Sequence, residues 1–386
     1  MIQGGAIHSH VLSRAQVSID CDDPVAQLRE KLGDTPLSLL TVFVSPGVDF
    51  AVVTERLNAE FPTTDIVACT TAGEIGATGY VEGTILGLGY PAAHFDSISI
   101  LIEDLDGQET QSAVDRIAQD RVALRDRNPD KLNGFAFLVV DGLSLREDSL
   151  TAAISPALRG MPLFGGSAGD GATFEQTYVS LNGRTRQNAG VLTMIQTDHK
   201  TKVFSIDHLR PTEIQMVVTD ADPDKRIVKS INAEPAAREY ARLVGTDPDQ
   251  LDRLTFVSHP VVVRIGGTHH VRAIQQVTPK GELVFFSAID EGMVLTVAEP
   301  RDMARHLDEK LTELSRLGTL TDIVGCDCIL RRIEAEQKQI TRQVSEVLTR
   351  HKVTGFSTYG EQIGPLHVNH TMSGLAIYAE THTPEA

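Results

Sequence analysis

The sequence predicts an α+β protein, α/β in character at its start, built as two intimately packed domains. Three observations predict it. At 386 residues the chain exceeds what one hydrophobic core usually serves. Its first third alternates short apolar runs with amphipathic helical ones. Beyond about residue 160 it changes to short strand-like segments punctuated by turn residues, with no proline-rich linker between the halves. The expected N-terminal domain is a mixed, largely parallel sheet flanked by helices, followed by an antiparallel meander. The expected C-terminal domain is an antiparallel sheet with two long helices.

Each element has its own signature. DDPVAQLREKLG (22–33) opens with an acidic cap and an early proline, aligns Val25, Leu28 and Leu32, and stops at Gly33, which predicts a helix. LSLLTVFVS (37–45) is almost continuously apolar over a strand's length, suiting a strand covered on both faces. DFAVVTERLNAEF (49–61) spaces Phe50, Val53, Leu57 and Phe61 three and four apart ahead of Pro62, a second helix. TDIVACT (64–70) and DSISILIEDL (96–105) read as strands, QSAVDRIAQDRVALRDR (111–127) as an amphipathic helix, and NGFAFLVVDG (133–142) as a buried strand. Strand, helix, strand at this spacing predicts right-handed crossovers and a largely parallel sheet. EQTYVSLNG, GVLTMIQTD, TKVFSIDHL and TEIQMVVTD then predict the meander. A second unit opens near AEPAAREYARLVG (233–245). It holds a hairpin over 271–289 turning at Pro279-Lys280-Gly281, helices over 301–317 and about 331–350, and the closing strands VTGFSTYGEQ and LHVNHTMSGLAIYAE.

Composition excludes several classes. Lys plus Arg total 35 against 52 Asp plus Glu, a formal charge of −17, which argues against nucleic acid as a partner. No run of eighteen apolar residues and no charged-then-apolar leader occurs, so neither a membrane span nor a signal peptide is expected. Four cysteines, Cys21, Cys69, Cys326 and Cys328, do not make a disulfide framework, and a reducing cytoplasm is the expected location.

The candidate chemistry lies in glycine-rich stretches. CTTAGEIGATGYVEGT (69–84) combines backbone freedom at its glycines with the polar groups of Thr70, Thr71 and Glu74. It is either a compact strand connection or a ligand-gripping loop, and composition alone favours the first. It is not a Walker loop, having no Gly-Lys-Ser/Thr, nor a dinucleotide fingerprint, since no helical run follows. LFGGSAGDG (163–171) satisfies G-x-S-x-G and nominates Ser167 as a hydrolase nucleophile, but the polar, strand-like DGATFEQTYVSLNG follows where the elbow needs a helix. The wall of a binding cleft is the preferred reading. GCDCILRR (325–332) holds Cys326 and Cys328 without a second cysteine pair, so core packing outranks zinc. Among thirteen histidines there is no H-E-x-x-H. His367 and His370 sit three apart in LHVNHT and would share a metal only across a turn.

Taken together, VACTTAGEIGATGYVEGTI, LFGGSAGDG, DCILRR, GFSTYGEQ and LHVNHTMSGLAIY, in that order, resemble the motifs of FIST-domain proteins over about residues 35–380. The resemblance implies tandem modules, a FIST N-like domain over 35–230 and a FIST C-like domain over 231–386, with 1–34 an extension carrying a helix. It implies a sensory, non-catalytic protein whose ligand-facing residues are Thr70, Thr71, Gly73, Glu74, Gly165, Gly166, Ser167, Tyr359 and Glu361. The chain resembles most the stand-alone branch in which haem b is bound non-covalently to sense nitric oxide, regulating a histidine kinase or a cyclic-di-GMP enzyme in trans; a homodimer is compatible with this. His367 is then the first candidate axial ligand, with His94, His259 and His370 behind it, Tyr359 or Cys328 as anionic options, and Arg264, Arg272 and Arg331 available to propionates. Glutamine is expected at position 370 in this family, so His370 is a departure. The alternatives are a sensor of amino acids or another small metabolite and, remotely, a serine hydrolase at Ser167.

Overall fold

The computed structural model describes residues 10–105 and 109–379, and within them a strand–helix motif recurs. The first unit comprises β1 (Ser13–Ser18), α1 (Pro24–Leu32), β2 (Leu37–Val44), α2 (Phe50–Glu60) and β3 (Asp65–Thr70). A hairpin, β4 (Glu74–Gly76) with β5 (Gly79–Val81), and a return strand, β6 (Thr84–Pro91), complete it. The second unit repeats this order with β7 (Phe95–Ile102), α3 (Glu109–Arg127), β8 (Asn133–Val140), α4 (Glu147–Ile154) and β9 (Leu163–Ser167). Its hairpin is β10 (Val179–Leu181) with β11 (Arg184–Arg186), and its return strand is β12 (Gly190–Thr197).

The third unit opens with β13 (Thr201–Ile206) and is then interrupted. The interruption contains β14 (Leu209–Asp222), β15 (Ile227–Ile231), β16 (Glu234–Pro235), α5 (Ala236–Val244), α6 (Arg253–Ser258), β17 (Val261–Ile265), β18 (Thr268–Arg272), β19 (Ile274–Val277), β20 (Leu283–Phe285) and β21 (Val294–Pro300). These strands form a nearly closed antiparallel sheet around a core of its own. The third unit resumes with α7 (Met303–Ser315), β22 (Leu320–Cys328), α8 (Ile329–Gln337), α9 (Thr341–Arg350) and β23 (Val353–Thr358), then the hairpin β24 (Glu361–Ile363) with β25 (Leu366–Val368), and β26 (Met372–Tyr378).

Three six-stranded sheets share one topology, β1-β6-β2-β3-β10-β11, β7-β12-β8-β9-β24-β25 and β13-β26-β22-β23-β4-β5. Each is completed by the hairpin of another unit. The first unit's hairpin joins the third sheet, the second's joins the first, and the third's joins the second, so the exchange is cyclic. Each sheet has one parallel pair, β2 with β3, β8 with β9 and β22 with β23, and its other pairings are antiparallel. The first third is therefore less parallel than the strand–helix–strand spacing predicts. A helical crossover makes one parallel pair, but the chain then turns through a hairpin and returns antiparallel.

Alternation along the strands explains the layers. In β8, Phe135, Phe137 and Val139 face a central core that also receives Phe43, Phe164, Val324, Cys326 and Phe356 from all three sheets. Ala136, Leu138 and Val140 face outward onto α3 and α4. Helices α1 and α2 cover the first sheet's outer face, and α7 and α9 the third's. The nearly continuous apolar runs are thus strands buried on both faces, as expected.

Several details depart from the sequence reading. The helix expected over 331–350 is two, because Gln339 adopts φ 56 and Ile340 N donates to Ala335 O at 2.8 Å, closing α8 before α9 starts. The last strand is likewise split at His370, φ 57. Strand β6, TILGLGYP, is not among the strands the sequence reading names.

Candidate ligand-binding site

The third strand of each unit runs out into a Ser/Thr-x-Gly-Asp/Glu sequence: Thr71 to Glu74, Ser167 to Asp170, and Thr358 to Glu361. The hairpin exchange brings the three together, and main-chain hydrogen bonds lace every pair. Ser167 N donates to Gly360 O (2.8 Å), Gly169 N to Thr70 O (3.0 Å), and Ser357 N to Gly73 O (2.7 Å). All nine residues expected to face a ligand lie in or beside these loops, and all nine are buried. They meet as packing partners. A Cβ on Gly166 would fall 2.4 Å from Thr358 Cγ2, and one on Gly165 2.0 Å from Leu138 O. Gly73 has φ +113, and a Cβ there would fall 1.9 Å from an Arg332 nitrogen.

The loop carboxylates divide two to one. Glu74 is fully buried, taking hydrogen bonds from Thr71 (2.5 Å), Ser45 (2.7 Å) and Thr84 (2.8 Å), and burial raises its pKa despite them. Glu361, also fully buried, takes them from Thr358 and Thr371, and burial pushes it up to about 8. Asp170 is half-buried. Burial raises it, but the Tyr359 hydroxyl and the amides of Gln176 and Glu175 outweigh that, and its pKa lies below the ordinary carboxylate value.

The difference has a local cause. In the first and third units the carboxylate itself starts the hairpin, whereas residues 171–178 separate Asp170 from β10. That added segment borders a cavity of about 560 Å3, placed beyond the carboxyl ends of the parallel strands β2 and β3. Such crevices are where open α/β sheets usually receive ligands. Thr70 is the one expected ligand residue on its wall. The others there include Asp49, Phe50, Asp170, Glu175 and Tyr178, and no Lys, Arg or His is among them. Asp49 caps α2 through the amides of Ala51 and Val52, and Phe50 stacks on Tyr178 with centroids 6.1 Å apart. Asp170 was visible inside LFGGSAGDG, and the threefold recurrence of Ser/Thr-x-Gly-Asp/Glu was a readable signal. Nothing in the sequence tied Phe50 to Tyr178.

The G-x-S-x-G serine is enclosed. Ser167 Oγ accepts from Gln362 Nε2 at 2.9 Å, and no helix follows to form an elbow. Gln362 Nε2 also donates to His367 Nδ1 at 3.2 Å, so the imidazole proton sits on Nε2. That nitrogen has no hydrogen-bond partner, and burial pushes the ring's pKa down to about 4.

The structure keeps the candidate haem ligands apart. His370 and His208 each place Nε2 2.8 Å from Glu334 Oε2, and Arg331 Nη1 donates to His208 Nδ1 at 2.9 Å. Burial raises Glu334, but the two imidazole hydrogen bonds outweigh it and its pKa falls below the usual range. Burial pushes His208 down to about 3. His259 ends α6 with Nδ1 3.3 Å from Thr255 O, and His94 is half-exposed beside Asp198. Cys328 is fully buried with its thiol pushed well up, and burial raises Tyr359 too. Arg331 is held by Asp327 at 2.6 Å, Arg272 donates to the His367 carbonyl at 3.3 Å, and Arg264 is exposed on β17. Four cavities of 360–560 Å3 have none of the four candidate histidines on their walls. A porphyrin needs an imidazole lone pair facing open space, and the enclosed rings of His367 and His370 turn none toward these four cavities.

Compared with known protein families, residues 38–234 match the FIST N domain and residues 236–364 the FIST C domain. The chain belongs to the FIST family. FIST domains are sensory, ligand-sensing modules of signal transduction, not catalytic ones. No curated protein matches this FIST protein. The join between the two domains, at residues 234–236, falls inside the interrupting sheet, so both share in it. Among the described residues no helix is long and apolar enough to cross a membrane.

Proposed function

We propose that this FIST protein senses a small metabolite of amino-acid size carrying an ammonium group, bound in the cavity beyond β2 and β3. The observation that carries the reading is the wall's one-sided charge: Asp49, Asp170 and Glu175 with no basic side chain. Asp49 and Asp170 are engaged by main-chain amides, which leaves the exposed Glu175 as the carboxylate best placed for a cation. The Phe50–Tyr178 pair offers an aromatic face to the same charge or to an apolar tail. Occupancy would be felt along residues 171–178, because Phe174 stacks on Tyr359 (4.2 Å) and lies under Arg253 of the interrupting domain (5.4 Å). A partner enzyme reading that shift in trans, a histidine kinase or a cyclic-di-GMP enzyme, completes the proposal.

Thermal-shift and calorimetric screening of amino acids, amines and carboxylic acids tests it. Ammonium-bearing compounds should raise the melting temperature in a saturable way, and Glu175→Gln should weaken that binding about tenfold. Stabilisation by carboxylic acids alone would overturn it. Haem-based nitric-oxide sensing is a second reading, favoured by one observation, the buried and unpartnered Nε2 of His367. Its enclosure and tautomer oppose it. Titration with hemin decides: a stoichiometric Soret band lost in His367→Ala would establish haem, and a featureless titration would end that reading.

A further inference from the structure

We propose a second site, for a divalent transition ion of the zinc class, formed by His94, Asp198 and His199 at the pole opposite the packed loops. His94 lies in the turn from β6 to β7, and Asp198 and His199 in the turn from β12 to β13. These turns are the two links that join the three units. The ligand atoms lie within 4.8 Å of one another. His94 Nδ1 is 3.1 Å from Asp198 Oδ2, and His199 Nε2 is 3.7 Å from Asp198 Oδ1. Bonds of about 2.0–2.2 Å to a tetrahedral zinc put its ligand atoms roughly 3.3 Å apart, so small side-chain shifts complete the set.

The decisive feature is His199. Its Nδ1 lies 2.9 Å from the Tyr378 carbonyl, which can only accept, so the proton is on Nδ1 and the lone pair is on Nε2. A main-chain carbonyl fixing one ring nitrogen while the other faces a carboxylate is how proteins orient an imidazole toward a metal. That Nε2 has no hydrogen-bond partner, although the side chain is only 6% exposed, and buried Asp198 Oδ1 has none either. Leaving two such atoms bare is costly, and a cation between them would satisfy both. Solvent reaches the site, since the side chains of His94 and Asp198 are 40% and 32% exposed. Three protein ligands leave a coordination position for water, which suits zinc-class ions better than calcium or magnesium.

The other three-residue cluster, His208, Glu334 and His370, differs in that its polar atoms already have partners. Its imidazole Nε2 atoms both face Glu334, Arg331 donates to His208 Nδ1, and Lys338 sits 2.6 Å from Glu334 Oε1. The carboxylate already has Lys338 as its cation, and the Arg331 guanidinium on His208 would repel a metal. Because Tyr378 ends the third unit, an ion at His199 would tie all three units at one pole, independently of what the acidic cavity binds.

Zinc titration of the chelator-stripped full chain by isothermal calorimetry tests the proposal, with cobalt absorption as an independent readout of the ligand set. One saturable equivalent is expected, with visible cobalt bands and a rise in melting temperature. His94→Ala and Asp198→Asn should each weaken binding at least about tenfold and erase the bands, whereas His370→Gln should keep both. His94 is half-exposed, so His94→Ala retains the parent's fold, checked by circular dichroism. Absence of saturable zinc binding, or the parent's stoichiometry and affinity in both site variants, would overturn the proposal, as would loss of binding in His370→Gln alone.

Discussion

The first and third units close their loops on themselves, and the second does not. Glu74 and Glu361 begin their hairpins at once and are sealed by hydroxyl groups, while Asp170 is followed by residues 171–178 and organises them through amides. The same Ser/Thr-x-Gly-Asp/Glu sequence therefore serves as interior packing twice and as the rim of a cavity once. An insertion of a few residues puts one copy of a structural repeat at the rim of a cavity. Symmetric loops fill one another's space, and only the copy whose register is broken leaves room for a guest.

The largest effect should come from breaking the packed side. Phe356 stacks on Phe43 with centroids 4.3 Å apart where all three sheets meet. Phe356→Ala should cost about 3–5 kcal/mol in chemical denaturation. A loss below 1 kcal/mol would mean that the three sheets do not share a core. Next, the carboxylates should titrate with opposite signs. Glu361 is raised to about 8 from 4.5, so between those values the unfolded chain releases a proton that the folded chain keeps, and stability falls as pH rises. Glu361→Gln should remove that fall, gaining on the parent from pH 4.5 to 8. Asp170 is lowered, so its contribution is present above pH 3.8 and is lost as pH falls through its folded pKa. Asp170→Asn should flatten the acid limb and leave the alkaline side unchanged. Unfolding curves across pH measure both, and equal slopes for the two variants would erase the distinction.

A smaller change probes the Ser167 loop. Ser167→Ala removes the acceptor for Gln362 Nε2, leaving a buried amide less satisfied, which should cost about 1–3 kcal/mol. A fluorophosphonate probe should label neither protein, and labelling of the parent alone would restore the hydrolase reading. The smallest effect on stability is expected at the rim. Glu175→Gln should change it by less than about 0.5 kcal/mol while weakening ligand binding, the signature of a residue that faces the guest.

Much of this was legible in the sequence because its cause is local. Asp23 and Gly33 bound α1, Asp49 caps α2, and the almost continuous apolar run at 37–44 and the unbroken one at 135–140 mark strands with two covered faces. The loops that meet at the centre are legible too, since glycines among Ser, Thr and carboxylates are conspicuous. Whether a strand candidate was one or two, as at His370, turned on a single positive φ that composition does not announce.

Tertiary structure alone decided the rest. A hairpin such as β4–β5 carries the same local sequence information whichever free sheet edge it joins, and only the arrangement of three units sends it to β23. That exchange buried Thr71, Glu74, Ser167 and Glu361, with Glu74 and Glu361 held by hydroxyl groups and Ser167 by Gln362. It also placed Phe50 beside Tyr178, and the pairing of β7 with β12, Phe95 opposite Thr197, set His94 beside His199, pairs more than a hundred residues apart. Short-range chemistry fixes which segments are helix, strand or loop. Which surfaces stay open depends on how distant edges are satisfied, and no single segment carries that.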